Sequence, residues 1–285
     1  MFTDTLTPSR RRQWQGTWRS FQAWATSHHT PLDPAQWVPE DLRDYRDALV
    51  QANRAAATIR IHLDLLRSAA RYAGNPADPG ASLHYPSRQE PAPQGLTRIE
   101  KNALLRAVGG QPRPRHRLRD LALAQLLCHT GLRIHEALAL TWDDVAWDPR
   151  RPNRAGWITV RAASGKGQRE RRVPVNATAR SHLAAWWHAH PSRAGAVFCT
   201  IQGAPGPVSA RAMADAFRRY ARRAAIAQFH FHRLRHTFAY DLLAQGVPLP
   251  TVAALMGHRR IQTTYRYSLP QADDLAAAVD RLAVH

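Results

Sequence analysis

Four short segments in the second half of the chain carry side chains that seek phosphate or move protons. They are TGLRIHEAL with Arg133, SGKGQRERRVPV with Lys166, HRLRHTFA with His232 and Arg235, and LMGHRRIQTTYRY with His258 and Tyr267. A guanidinium keeps its charge and presents a planar fork of donors that matches two oxygens of one phosphate. A phenol can be a nucleophile, but its unperturbed pKa of about 10 means that it needs a base or a cationic pocket to react at neutral pH. Lysine can act as a general acid where neighbouring cations lower its pKa from about 10.4 toward neutrality; taken alone, Lys166 is an ordinary lysine of a solvated turn. The chain has 15 histidines, so each by itself reads as structural or superficial. His230, His232 and His236 have the i, i+4 spacing of a metal site, but the interleaved Arg233 and Arg235 would repel a cation, and a metal is not expected.

Groups so far apart in the chain need a folded unit to gather them, and the patterning supplies its elements. LTRIEKNALLRAV opens with Thr97 followed by Glu100, a capping-box signature for a helix start. A helix through RLRDLALAQLLCHTG ends at Gly131, and a second, begun by Arg133, places Glu136 at i+3, where it orients the site rather than reacts. WITVRAA and RERRVPV read as two strands around the polar turn SGKGQ, which puts Lys166 at the tip of a hairpin. Helices follow over NATARSHLAAWWHAH, SARAMADAFRRYARRA, HRLRHTFAYDLLAQG and TVAALMG, with a final amphipathic segment in ADDLAAAVDRLAV. The expected fold is mainly α with a small antiparallel β-sheet.

Upstream, residues 7 to 73 carry three helical stripes. Trp14, Trp18, Phe21 and Ala25 mark the first, Leu42, Tyr45 and Leu49 the second, and Ile59, Leu63, Leu66 and Ala70 the third. The tryptophans read as core. Arginines on the polar faces, among them Arg10, Arg12, Arg60 and Arg71, could be merely solvated or could track a polyanion. Between Gly74 and Gly95 the prolines and glycines forbid a regular element. The boundaries expected from this are a helical domain over 1–85, a linker over 86–95 and a second domain over 96–285.

Lys+Arg number 40 against 21 Asp+Glu, a formal charge of +19, and all but Lys101 and Lys166 of the cations are arginine. An arginine-rich excess points to nucleic acid before acidic lipid, the alternative being a merely soluble cationic protein. Cys128 and Cys199 lie in apolar stretches without metal-type spacing, as reduced core residues of a cytosolic protein do. No run approaches the ~18 apolar residues of a membrane span, and the first residues lack the apolar core of a signal. The expected location is the cytoplasm, at the nucleoid.

In their order, TGLR, the lysine hairpin, His-x-x-Arg-His, Gly-His and a tyrosine nine residues on, the segments resemble the tyrosine recombinase and phage integrase family, particularly short bacterial members related to the Xer proteins. The resemblance covers residues 96 to 269 in motif order and, more loosely, the helical N-terminal unit. It implies a catalytic domain over 96–285, a core-binding domain over 1–85 and a clamp of the two around duplex DNA. Tyr267 would be the nucleophile that forms a 3′-phosphotyrosyl bond, His232 the base candidate, and Arg133, Arg235 and His258 the partners of the scissile phosphate. Lys166 would protonate the leaving 5′ oxygen. The phosphotyrosine conserves the energy of the broken bond, so no cofactor is implied. Tyr265 competes for the nucleophile's place, but the nine-residue offset from His258 selects Tyr267 and leaves Tyr265 to packing or DNA contact. Partners implied are double-stranded DNA with specific core sites and further copies in a tetramer, or a paired recombinase. The tail from Gln271 to Val284, with Leu275, Val279 and Leu282 on one stripe, could dock on a neighbouring protomer or fold back on its own domain. Two other functions share the pattern: DNA relaxation of the type IB topoisomerase kind, and DNA binding without cutting.

Overall fold

The computed structural model describes residues 2–81, 83–85, 94–148, 150–151, 154–162, 170–204, 206–258, 262–265 and 267. The chain divides into two compact units, residues 1–91 and 92–285. Each is built mainly of helices, and the second carries a small antiparallel sheet.

Among the described residues the first unit holds three α-helices, α1 (Pro8–Ser27), α2 (Pro39–Gln51) and α3 (Ala56–Tyr72). The Thr7 hydroxyl accepts from the Arg10 N–H and Pro8 occupies the first turn, which fixes where α1 starts. Phe21, Trp37, Leu42, Tyr45, Leu63 and Leu66 form the centre of one apolar cluster, with Trp18 and Trp24 packed against it. Each fully buried large side chain there contributes roughly 1.5–3 kcal/mol. Tyr45 keeps its hydroxyl satisfied between Ser20 and His62. Arg10, Arg12, Arg60 and Arg71 face solvent.

In the second unit α4 (Arg98–Gly109) begins with the reciprocal Thr97 and Glu100 bonds of a capping box. The central helix is α5 (Pro114–Thr130), buried around most of its circumference and packed against α7 (Ala177–Ala189) and α9 (Phe231–Ala244). Its buried Arg119 donates to Asp120, whose other oxygen accepts from the Tyr220 hydroxyl. After α5 come the short α6 (Ile134–Ala139) and a sheet of β1 (Val145–Ala146), β2 (Gly156–Val160) and β3 (Arg171–Val175) in the order β1-β2-β3, antiparallel throughout. The register pairs Ile158 with Val173 and Val160 with Arg171. Ile158, Val160, Val173 and Val175 turn one face into the core. Strand β1, only two residues long, is too short for alternation to signal it. Further α-helices among the described residues are α8 (Ala210–Arg223), α10 (Leu249–Met256) and α11 (Gln262–Tyr265). The hairpin tip with Lys166 and the tail from Gln271 to Val284 lie outside the described residues.

Candidate active site

Two helix ends create the site. Helix α5 stops at Gly131, whose φ of 63° is left-handed, and a Cβ there would lie 2.4 Å from the Phe238 ring. Helix α10 stops the same way at Gly257, φ 67°. The last carbonyls of a helix lack partners within it and carry the negative end of its dipole. Arg235, on α9 and only 3% exposed, donates from Nη1 to the Gly131 carbonyl at 2.6 Å and from Nη2 to the Met256 carbonyl at 2.7 Å. One guanidinium thus ties both helix ends to α9 with two of its five N–H donors.

Arg133 follows Gly131 by two residues and caps α6, so the turn that ends α5 also aims this cation. Its backbone N–H and its Nη1 both donate to Glu136, at 2.8 and 3.0 Å. Arg171, at the start of β3, grips the same carboxylate bidentately at 3.1 and 2.8 Å and donates to the Leu255 carbonyl at 3.4 Å. Arg235 comes within 4.0 Å of it. Burial would raise the Glu136 pKa. The Arg171 bonds, the Arg133 backbone N–H and the two cationic charges overcome that and hold it at about 2. Glu136 is therefore a fixed anion that keeps three guanidinium groups side by side. Burial first and then Arg133 and Arg171 lower the Arg235 pKa to about 10, against the pull of Glu136 and Tyr267, and the group remains a cation at neutral pH.

His258 follows the α10 stop and shares a 2.6 Å hydrogen bond through Nδ1 with the hydroxyl of the buried Thr264, which sets the ring's orientation. Burial, followed by Arg235, Arg133, Arg171 and His236, depresses its pKa to about 4, so the ring is neutral at pH 7. His232 stands at the exposed rim on the first turn of α9. Partial desolvation and then Arg235, His230, Arg133 and His135 hold it below the ordinary imidazole value.

Tyr267 is only 8% exposed and packs with Phe238, Ala239, Val252 and Met256, its ring edge-on to Tyr240 at 5.4 Å. Its hydroxyl lies 2.7 Å from Nδ1 of His236, one helical turn beyond His232. Tyr265 is 57% exposed, so it does not pack into the core.

The structure thus brings Arg133, His232, His258 and Tyr267 within electrostatic reach of Arg235, while Lys166 falls outside the described residues. Two neighbours were not singled out for these contacts by sequence reasoning: Arg171, and His236, weighed there only as a metal ligand. A signal existed for each. Arg171 alternates with Val173 and Val175 on one strand face, and a cation on an inward-facing register implies a buried anion. His236 lies four residues from His232 and shares its helix face.

Over residues 96–273 the chain matches the family model described as Phage integrase family. It is 35% identical over 193 residues to "Tyrosine recombinase XerC" of Xylella fastidiosa (strain M23), covering 67% of this chain and 61% of that protein. To "Tyrosine recombinase XerC" of Xanthomonas axonopodis pv. citri (strain 306) it is 30% identical over 264 residues, covering 88% and 79%. The chain spans about 60% of the length of the first curated relatives it matches. Among solved structures, XerH site-specific recombinase bound to difH substrate in a pre-cleavage complex superposes with a TM-score of 0.72 at 20% identity, covering 94% of this chain and 78% of that one. That likeness speaks to the fold.

Proposed function

Because this chain belongs to the phage integrase family, we propose that it is a site-specific DNA recombinase that cuts and rejoins strands through Tyr267. One observation carries the reading: a buried phenol sits within the field of Arg235, a guanidinium bound to two helix ends and set beside Arg133 at the shared anion Glu136. In this reading the scissile phosphate enters among the guanidinium groups, whose remaining N–H donors bind its non-bridging oxygens. With the Thr264 hydroxyl donating to Nδ1, neutral His258 carries its proton on Nε2 and donates it to the same phosphate. The Tyr267 oxygen attacks phosphorus and the bond to the 5′ oxygen breaks. Lys166 gives that oxygen its proton, and His232 receives the proton of the phenol. Rejoining is the reverse, and no step calls for a metal or a nucleotide.

In the same reading residues 1–85 form a core-binding domain joined by residues 86–95 to a catalytic domain over 96–285, the two closing as a clamp on the duplex. The charge of +19 favours such binding. Strand exchange takes place between two duplexes in a tetramer, of this chain alone or with a paired recombinase, in the cytoplasm where the DNA lies. The relatives bear recombinase names, and XerH was solved on its difH substrate, which favours recombination over relaxation or mere binding.

The test has two stages. DNA bound by the protein is selected from its native genome and sequenced, and a duplex with the recovered site is then nicked just beyond the scissile bond so that cleavage becomes irreversible. A covalent protein–DNA species is expected. Binding without any covalent species would leave a non-cutting regulator, and site-independent relaxation of plasmid would point to a topoisomerase.

A further inference from the structure

His236 closes the His-x-x-Arg-His segment one helical turn beyond His232, and its ring meets the phenol oxygen on which the reaction depends. Nδ1 and the Tyr267 hydroxyl are 2.7 Å apart, and the two rings lie 5.4 Å apart at 47°, with Tyr240 closing the far side of Tyr267. We propose that His236 is a positioning residue for the nucleophile: its Nδ1 pins the phenol oxygen inside the site. The proposal rests on the reading of Tyr267 as nucleophile and adds to it a residue that acts through that tyrosine.

Geometry explains why such a pin is needed. Tyr267 lies beyond the four-residue α11 and its ring is held by apolar packing, which leaves the direction of its hydroxyl to be set by a polar scaffold. Helix α9 offers one. Buried Leu234, Arg235, Thr237, Phe238 and Ala239 anchor it around His236. Arg235, the next residue, is bound to the carbonyls of Gly131 and Met256, so the ring that holds the phenol and the cation that would hold the phosphate share one rigid segment. That arrangement fixes nucleophile and phosphate relative to each other, and a misplacement of about 1 Å can slow such a reaction roughly a hundredfold.

The test exploits atom positions. In asparagine the amide heteroatoms are bonded to Cγ, as Nδ1 is in histidine; in glutamine they sit one bond farther out. His236→Ala, His236→Asn and His236→Gln are compared in the full-length protein on the nicked duplex carrying the selected site, measuring the single-turnover cleavage rate, DNA affinity and thermal midpoint. His236→Ala and His236→Gln should cleave tenfold or more slowly at unchanged DNA affinity, and His236→Asn should recover most of that loss. If Ala destabilises the fold, the Asn and Gln pair still decides. Equal rates for Gln and wild type, or an Asn variant as slow as Gln, would overturn the proposal while leaving Tyr267 in place. Failure of the wild type to form any adduct would instead overturn the recombinase reading, and the proposal with it.

Discussion

Glu136→Gln is the perturbation whose cost the structure defines best. The carboxylate is buried, accepts from Arg133 and bidentately from Arg171, and lies 4.0 Å from Arg235. Glutamine keeps the shape but removes the anion and turns N–H donors toward guanidinium groups. A pKa held at about 2 against an ordinary 4.5 corresponds to about 3 kcal/mol in favour of the charged form at pH 7. Removing one member of a buried ion pair costs about 3–5 kcal/mol, which agrees. Because the folded pKa is the lower one, this stability is fully present above pH 4.5 and is lost as pH falls toward 2. At pH 3 about 1 kcal/mol of it should remain. Urea unfolding of wild type and variant at pH 7 and pH 3 reads both values, and the melting point at pH 7 should drop by roughly 6–12 °C. A loss under 1 kcal/mol at pH 7, or one that does not shrink at pH 3, would refute the idea that Glu136 acts as a fixed anion among cations.

Gly131→Ala should cost about 2 kcal/mol or more, from the left-handed backbone and the collision with Phe238, and should show as a lowered denaturation midpoint. The folded protein holds His258 at about 4 and lowers His232, whereas unfolded histidine titrates near 6.5. The unfolded chain therefore binds more protons between these values, and stability should fall as pH drops from about 7 to 5; equal midpoints at the two pH values would contradict those environments. Lys166→Ala should slow cleavage of ordinary DNA, and a 5′-bridging phosphorothiolate, whose leaving group needs no acid, should restore it; without rescue, Lys166 is not the acid.

How much of this was legible beforehand depended on the range of each interaction. Thr97 and Glu100, three residues apart, announced the start of α4, and Glu136 at the same spacing from Arg133 was legible as an orienting residue, which the structure shows bonded to Arg133. The helices and the β2–β3 pair followed from periodicity because their burial is local and regular. Arg171 meets Glu136 across 35 residues and His236 meets Tyr267 across 31, so neither contact leaves a periodic trace. The strand face of Arg171 and the helix face of His236 hinted at an inward role, and the fold of α9 over the ends of α5 and α10 named the partners. Tyr265 and Tyr267 were hard to tell apart as residue types, and burial separates them, with one exposed and the other packed beneath Tyr240.

Trypsin cleaves after Arg266, so digestion of the covalent DNA complex places Tyr265 and Tyr267 on different peptides. Mass spectrometry of the DNA-linked peptide then names the attacking residue directly. A 3′-phosphotyrosyl nucleotide on the peptide that begins at Tyr267, absent from Tyr267→Phe, is the predicted result. The same group on Tyr265, or on any residue once Tyr267 is phenylalanine, would contradict the account.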